Sequence, residues 1–168
     1  VGNAGNITAY WKGFREYREA GRVDNVPKMW GFQAAGAAPL VYGHPIAEPH
    51  TIATAIRIGN PARGDEALAA VSNSGGVIEA VTDAEIVEAY RLVATLTGLM
   101  CEPASAAGIA GLLKRARSGV SLRDLTVVAV LTGHGLKDPA TALSLFEEMT
   151  PVAPTLENVL GTSIAAPA

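Results

Sequence analysis

Cysteine, histidine, aromatic residues and strong charge are all scarce in this 168-residue chain, and each scarcity closes a route. Cys101 stands alone, so an internal disulfide, a CxxC redox pair and a two-cysteine zinc site are all excluded, and such sparing use of cysteine favours the cytosol. His44, His50 and His134 lack HExxH spacing, so no metal site is expected. Thirteen Lys and Arg against 16 Asp and Glu leave a net charge of −3. With no basic run beside that balance, a nucleic-acid partner is not expected. No apolar run reaches the roughly 20 residues that a membrane helix needs, and no charged n-region with an h-region opens the chain, so no membrane partner is expected either. Neither GxxxxGK[ST] nor GxGxxG occurs. No internal repeat and no linker divides the chain, which reads as one domain. It does not begin with Met and opens inside a glycine turn, which suggests an excised or proteolysed segment.

What is present is small and apolar. Hydrophobic residues make up 49% of the chain, with 18 Gly and only 5% aromatics, the composition of a turn-rich α/β protein whose layers pack through Ala, Val, Leu and Ile. Ile7, Tyr10, Trp11, Phe14 and Tyr17 recur at i, i+3, i+4 spacing, which predicts a helix over residues 7–20 with those five on one buried face. Residues 29–34 predict a short buried strand, and 35–42 a turn followed by a short helix. Residues 51–57 read as a helical turn, 65–73 as a helix ended by Ser74-Gly75-Gly76, and 77–81 as a second strand.

Thr82-Asp83-Ala84-Glu85 is a capping box, so a helix should run over 83–97 with Ile86, Tyr90 and Val93 inward and Gly98 as its stop. Glu102-Pro103 opens another, packed through Ala106, Ile109, Ala110 and Leu113 and ended by Ser118-Gly119. Residues 126–131 are apolar on both faces and predict a central strand of a parallel sheet. Residues 140–149 and 156–160 read as helices.

Two turns carry the candidate chemistry. Val1-Gly2-Asn3-Ala4-Gly5-Asn6 places two glycines ahead of a helix, where converging backbone N–H groups and the positive end of the helix dipole can hold a phosphate. The same pattern also serves as plain punctuation. If 126–131 is a strand, the Thr132–Gly135 turn lies beyond its carboxyl end, where ligands sit in open α/β sheets. Thr132 could equally bond its own turn.

GNAGN followed by ITAYWKGFREY resembles the cofactor-phosphate loop and adjoining helix of threonine synthases, which use pyridoxal 5'-phosphate and adopt fold type II. TAIRIGNP at residues 54–61, EPASAAGIAGL at 102–112 and TGHGLKDP at 132–139 follow the same family order. The first and last motifs are fairly specific to threonine synthases, whereas EPxSA is shared with dehydratases and other relatives. The likeness runs over nearly the whole chain, although the chain covers only part of the family.

The resemblance implies a three-layer αβα open parallel sheet of the tryptophan synthase β-like kind. Residues 1–168 would then be the C-terminal part of the cofactor-binding large domain. It implies that Gly2, Asn3, Ala4, Gly5 and Asn6 hold the cofactor phosphate, that the Thr132 hydroxyl meets the pyridine nitrogen, and that Asn3 and Arg57 serve the substrate. That substrate would be the small molecule O-phospho-L-homoserine, converted with water to L-threonine and phosphate by β,γ-elimination and water addition. Lys12, Lys28, Lys114 and Lys137 lack the family's Schiff-base context. That lysine is therefore expected upstream, no catalytic residue lies in this segment, and the isolated segment should be inactive. A cytoplasmic homodimer is implied for the full-length enzyme. A threonine dehydratase or cysteine synthase relative, and a non-catalytic phosphate-ligand binding module, are the alternatives.

Overall fold

A computed structural model describes residues 1–145 and 151–161. Two strands, β1 (Trp30–Ala34) and β2 (Val77–Val81), pair in parallel with Trp30 opposite Val77 and Ala34 opposite Val81. The chain between them carries the short helix α2 (Pro39–Tyr42), a single 3₁₀ turn at Thr54–Ile56 and the helix α3 (Gly64–Ser74). Parallel pairing requires such a crossover, because no tight turn can return the chain to the same end.

Alternation along the strands sorts the helices into two layers. Phe32, Ala34 and Val81 join a core with α4 (Asp83–Thr97) and α5 (Pro103–Arg117). Gly31 faces the other way, against Ile7 of α1 (Gly5–Glu19), and Ile78 packs into the cluster that α1 and α3 share with Met29. The result is a helix–sheet–helix sandwich.

Several helices end where the residues say they should. The Thr82 hydroxyl accepts the Glu85 N–H at 3.2 Å while the Glu85 carboxylate accepts the Thr82 N–H at 2.7 Å, closing the capping box of α4, and Gly98 stops that helix in the left-handed conformation at φ 71°. Ile86, Tyr90 and Val93 are buried as expected. On α5 the small residues Ala106, Ala107, Ala110 and Gly111 let the helix sit close on the sheet, and Arg115 stacks over the Trp30 ring at 4.4 Å while pairing with Glu79. The last helices are α6 (Pro139–Leu145) and α7 (Leu156–Gly161). The expected extension of α6 over 146–149 lies outside the described residues.

Two expectations are overturned. The aromatic face of α1 is not buried as a unit: Tyr10, Phe14 and Tyr17 are 38%, 40% and 52% exposed, leaving Ile7 buried and Trp11 half-buried. Periodicity shows that residues share a side of a helix, not that a neighbour covers it, and α1 lies chiefly against α3. The helix also begins at Gly5, two residues earlier than its apolar pattern suggests.

Residues 126–131 form no strand, and Val128 is 81% exposed. An apolar run becomes a strand only when another backbone accepts from its N–H groups and donates to its C=O groups. Among the described residues β1 and β2 pair only with each other.

Candidate functional site

The N-terminal turn owes its shape to an alanine. Ala4, the N-cap of α1, is held in the left-handed region at φ 66° and ψ 7°, while Gly2 and Gly5 are not at positive φ. A buried non-glycine residue in that region costs on the order of 1 kcal/mol. The left-handed residue leading into a right-handed helix turns successive N–H groups toward one concavity. The first intrahelical bond runs from the Thr8 N–H to the Ala4 carbonyl at 3.3 Å, so the N–H groups of Gly5, Asn6 and Ile7 have no acceptor within the helix.

No side chain caps this end, and no acidic residue stands in the first turn. Gly5 and Asn6 are exposed, and a Cβ on Gly5 would meet nothing within 4 Å. An anion such as a phosphate fits here: donors and dipole are in place and uncommitted, with open space before them.

Gly2 and Asn3 have structural duties as well. A Cβ on Gly2 would come within 3.0 Å of the Ile56 Cα. The Asn3 Oδ1 accepts the Ala62 N–H at 2.7 Å, and only the carbonyl oxygen of an amide can do so, which leaves its NH₂ available.

The second turn is fastened to the first turn of α5. The Glu102 N–H donates to the Gly133 carbonyl at 2.9 Å, the Gly133 N–H donates to Ser105 Oγ at 3.0 Å, and Ser105 Oγ lies 3.0 Å from Thr132 Oγ1. The Gly135 N–H adds a bond to the Met100 carbonyl at 2.9 Å, and Cys101 and His134 form an isolated antiparallel bridge. Glu102, only 5% exposed, is paired with Lys137 at 3.3 Å. A Cβ on Gly133 would lie 2.1 Å from Glu102 Oε1, so glycine alone admits the carboxylate there.

His134 Nδ1 accepts the Leu136 N–H at 3.1 Å and so serves the turn itself. Thr132 is exposed beside this buried seam. It does not follow a strand, as the sequence pattern suggested. Helix α5, not a sheet edge, sets its position.

The two turns share one intermediary. The Thr54–Ile56 turn packs against α5, and its Ala55 and Ile56 press on Gly2. Asp83 pins the segment just ahead of it, accepting from the Thr51 hydroxyl at 2.6 Å and the Ile52 N–H at 3.1 Å. Arg57 closes the turn, exposed, with no carboxylate within 4 Å among the described residues. Three of the four lysines are engaged elsewhere, Lys12 with Glu16, Lys114 with the Ala80 carbonyl at 2.7 Å and Lys137 with Glu102, and Lys28 is exposed ahead of β1. The residues therefore fit the phosphate and ring-nitrogen ends of a pyridoxal phosphate and supply no evident covalent anchor.

Sequence reasoning passed over Ser105, Asp83 and Gln33. The first two sat inside motifs read for other reasons. Gln33, fully buried, was the polar exception in an apolar strand; its Oε1 accepts the Leu40 N–H at 2.9 Å and its Nε2 reaches the Val1 carbonyl at 3.4 Å, tying the first turn to β1.

A parallel sheet between helical layers, with an uncapped helix terminus open to an anion and a hydroxyl turn fixed by a second helix, is the architecture of the fold type II pyridoxal-phosphate enzymes. The family model described as pyridoxal-phosphate dependent enzyme matches residues 1–133, and the chain belongs to that family. It is 59% identical over 143 residues to the threonine synthase of Synechocystis sp. (strain ATCC 27184 / PCC 6803 / Kazusa), covering 85% of this chain and 37% of that protein. To the threonine synthase of Mycobacterium bovis it is 57% identical over 152 residues, covering 90% of this chain and 42% of the relative.

The chain thus spans about two fifths of the length of these relatives. Among solved structures, the fungal L-serine ammonia-lyase from Rhizomucor miehei superposes with a TM-score of 0.59 at 24% identity over 80% of this chain and 43% of its own. A threonine deaminase from T.th. gives 0.52 at 22% over 70% and 39%. Those two show the fold alone.

Proposed function

We propose that this chain is the C-terminal part of the cofactor-binding large domain of a threonine synthase, a lyase that converts O-phospho-L-homoserine and water to L-threonine and phosphate. The observation that carries the reading is the open first turn of α1 behind left-handed Ala4, in a chain 53–59% identical to threonine synthases over most of its length. Bound pyridoxal phosphate would supply an electron sink for carbanion chemistry at the substrate.

Backbone N–H groups of residues 2–6 bind its phosphate, and Thr132 donates a hydrogen bond to its ring nitrogen. The free NH₂ of Asn3 and the uncommitted Arg57 guanidinium orient the phosphate of the substrate. The cofactor-bearing lysine and the remainder of the domain belong to the longer protein, which acts as a cytoplasmic homodimer.

The test uses the full-length protein that contains this segment. Phosphate release from O-phosphohomoserine is expected, without ketobutyrate from threonine; ketobutyrate without phosphate release would assign a dehydratase instead. The segment alone, incubated with pyridoxal phosphate and reduced with borohydride, should carry no stoichiometric lysine adduct.

A further inference from the structure

The seam between α5 and the Thr132 turn can be read proton by proton. Ser105 is 4% exposed, and its Oγ has two polar neighbours among the described residues, the Gly133 N–H and Thr132 Oγ1, each at 3.0 Å. A backbone N–H can only donate, so Gly133 takes one lone pair of Ser105. The Ser105 proton then has a single acceptor within reach, the oxygen of Thr132.

Were the direction reversed, with Thr132 donating, the Ser105 O–H would be buried with nothing to bond. A buried donor left unmade is the costly case, whereas an exposed hydroxyl can always find solvent. Thr132 is exposed. The bookkeeping settles on one orientation: Gly133 donates to Ser105, Ser105 donates to Thr132, and Thr132 keeps its own proton for whatever lies outside.

We propose that Ser105 is a positioning residue that fixes the Thr132 hydroxyl as an outward hydrogen-bond donor toward the ring nitrogen of the cofactor. The proposal rests on the reading of Thr132 as the partner of that nitrogen. A hydroxyl forced to accept would suit a protonated ring; one forced to donate suits a ring with a free lone pair. The backbone around the pair is held on both sides, by the Glu102 N–H to Gly133 and the Gly135 N–H to Met100, both at 2.9 Å. Thr132 therefore cannot swing away without breaking the seam.

Pyridoxal phosphate labelled with ¹⁵N in its ring, bound to the full-length protein containing this segment, reads the proposal directly. The unaltered protein should show the resonance of an unprotonated, hydrogen-bonded nitrogen. Ser105→Ala should move that resonance and weaken cofactor binding about tenfold, the equivalent of one hydrogen bond. Thr132→Val should move it as well.

If Thr132→Val moves the resonance and Ser105→Ala leaves it in place, the proposal is overturned while the nitrogen reading stands. If Thr132→Val leaves it unchanged, Thr132 is not the nitrogen's partner and both fall. A protonated-ring resonance in the unaltered protein also overturns the proposal. A second readout needs no cofactor: Ser105→Ala should abolish hydrogen-exchange protection of the Gly133 amide, and retained protection would show that the seam is not built as described.

Discussion

Single residues in this chain are mostly placed by what they must bond. Cys101 is the only thiol and is buried; burial, its largest influence, pushes its pKa up from 9.0, so it is a poor nucleophile at neutral pH. Tyr90 beside it is also buried, and burial raises its pKa from 10.0, with the charges of Cys101 and Asp138 adding to the rise.

Both groups hold their protons more tightly folded than unfolded. Their contribution to stability is therefore complete below the unfolded values and is lost as pH rises through the folded ones. Thermal unfolding midpoints measured across an alkaline pH series should fall above about pH 9, the unshifted thiol value. Cys101→Ala should remove the earlier part of that fall. A midpoint that rises above about pH 9 would contradict the assignment.

At the scale of elements, α5 shows how far one helix can hold two opposite requirements. Gly108 has nothing within 4 Å of its missing Cβ, whereas a Cβ on Gly111 would lie 2.1 Å from the Phe32 ring. Gly108→Ala should stabilise the protein by up to about 1 kcal/mol through helix propensity. Gly111→Ala should destabilise it by about 1–3 kcal/mol through overpacking. Chemical denaturation of the two variants checks both signs at once.

The sequence pattern located this helix and its small-residue face, because Pro at its start and Ser-Gly at its end are local signals. It could not tell one glycine from the other, since Phe32 comes from a strand far away in the chain. Ser105 escaped notice for the same reason: only the folded chain brings Thr132 and Gly133 to it. Ala4 was expected at the cofactor phosphate, but its left-handed backbone is imposed by the structure around it and leaves no mark in the residue type.

On the scale of the whole molecule, local punctuation proved more legible than partnership. Turns, caps and both paired strands could be read along the chain, and the four family motifs fixed the family. The errors concern what covers what. The aromatic stripe of α1 and the apolar run at 126–131 were read as buried because their patterns suit burial, and the described chain covers only part of each: Ile7, Trp11 and Leu131 reach a core, while Tyr10, Phe14, Tyr17 and Val128 stay exposed.

The parallel ladder carries one last implication, for the order in which the fold assembles. Trp30 can meet Val77 only after α2, the Thr54–Ile56 turn and α3 have been threaded between the strands, whereas α4 and α5 are neighbours in sequence and pack extensively on each other. Closing a long loop costs entropy before any ladder bond rewards it. The α4–α5 hairpin should therefore gain amide protection before β1 and β2 during refolding, as pulse-labelled hydrogen exchange would record. Simultaneous protection of strands and hairpin would point instead to a single nucleus spanning the sheet.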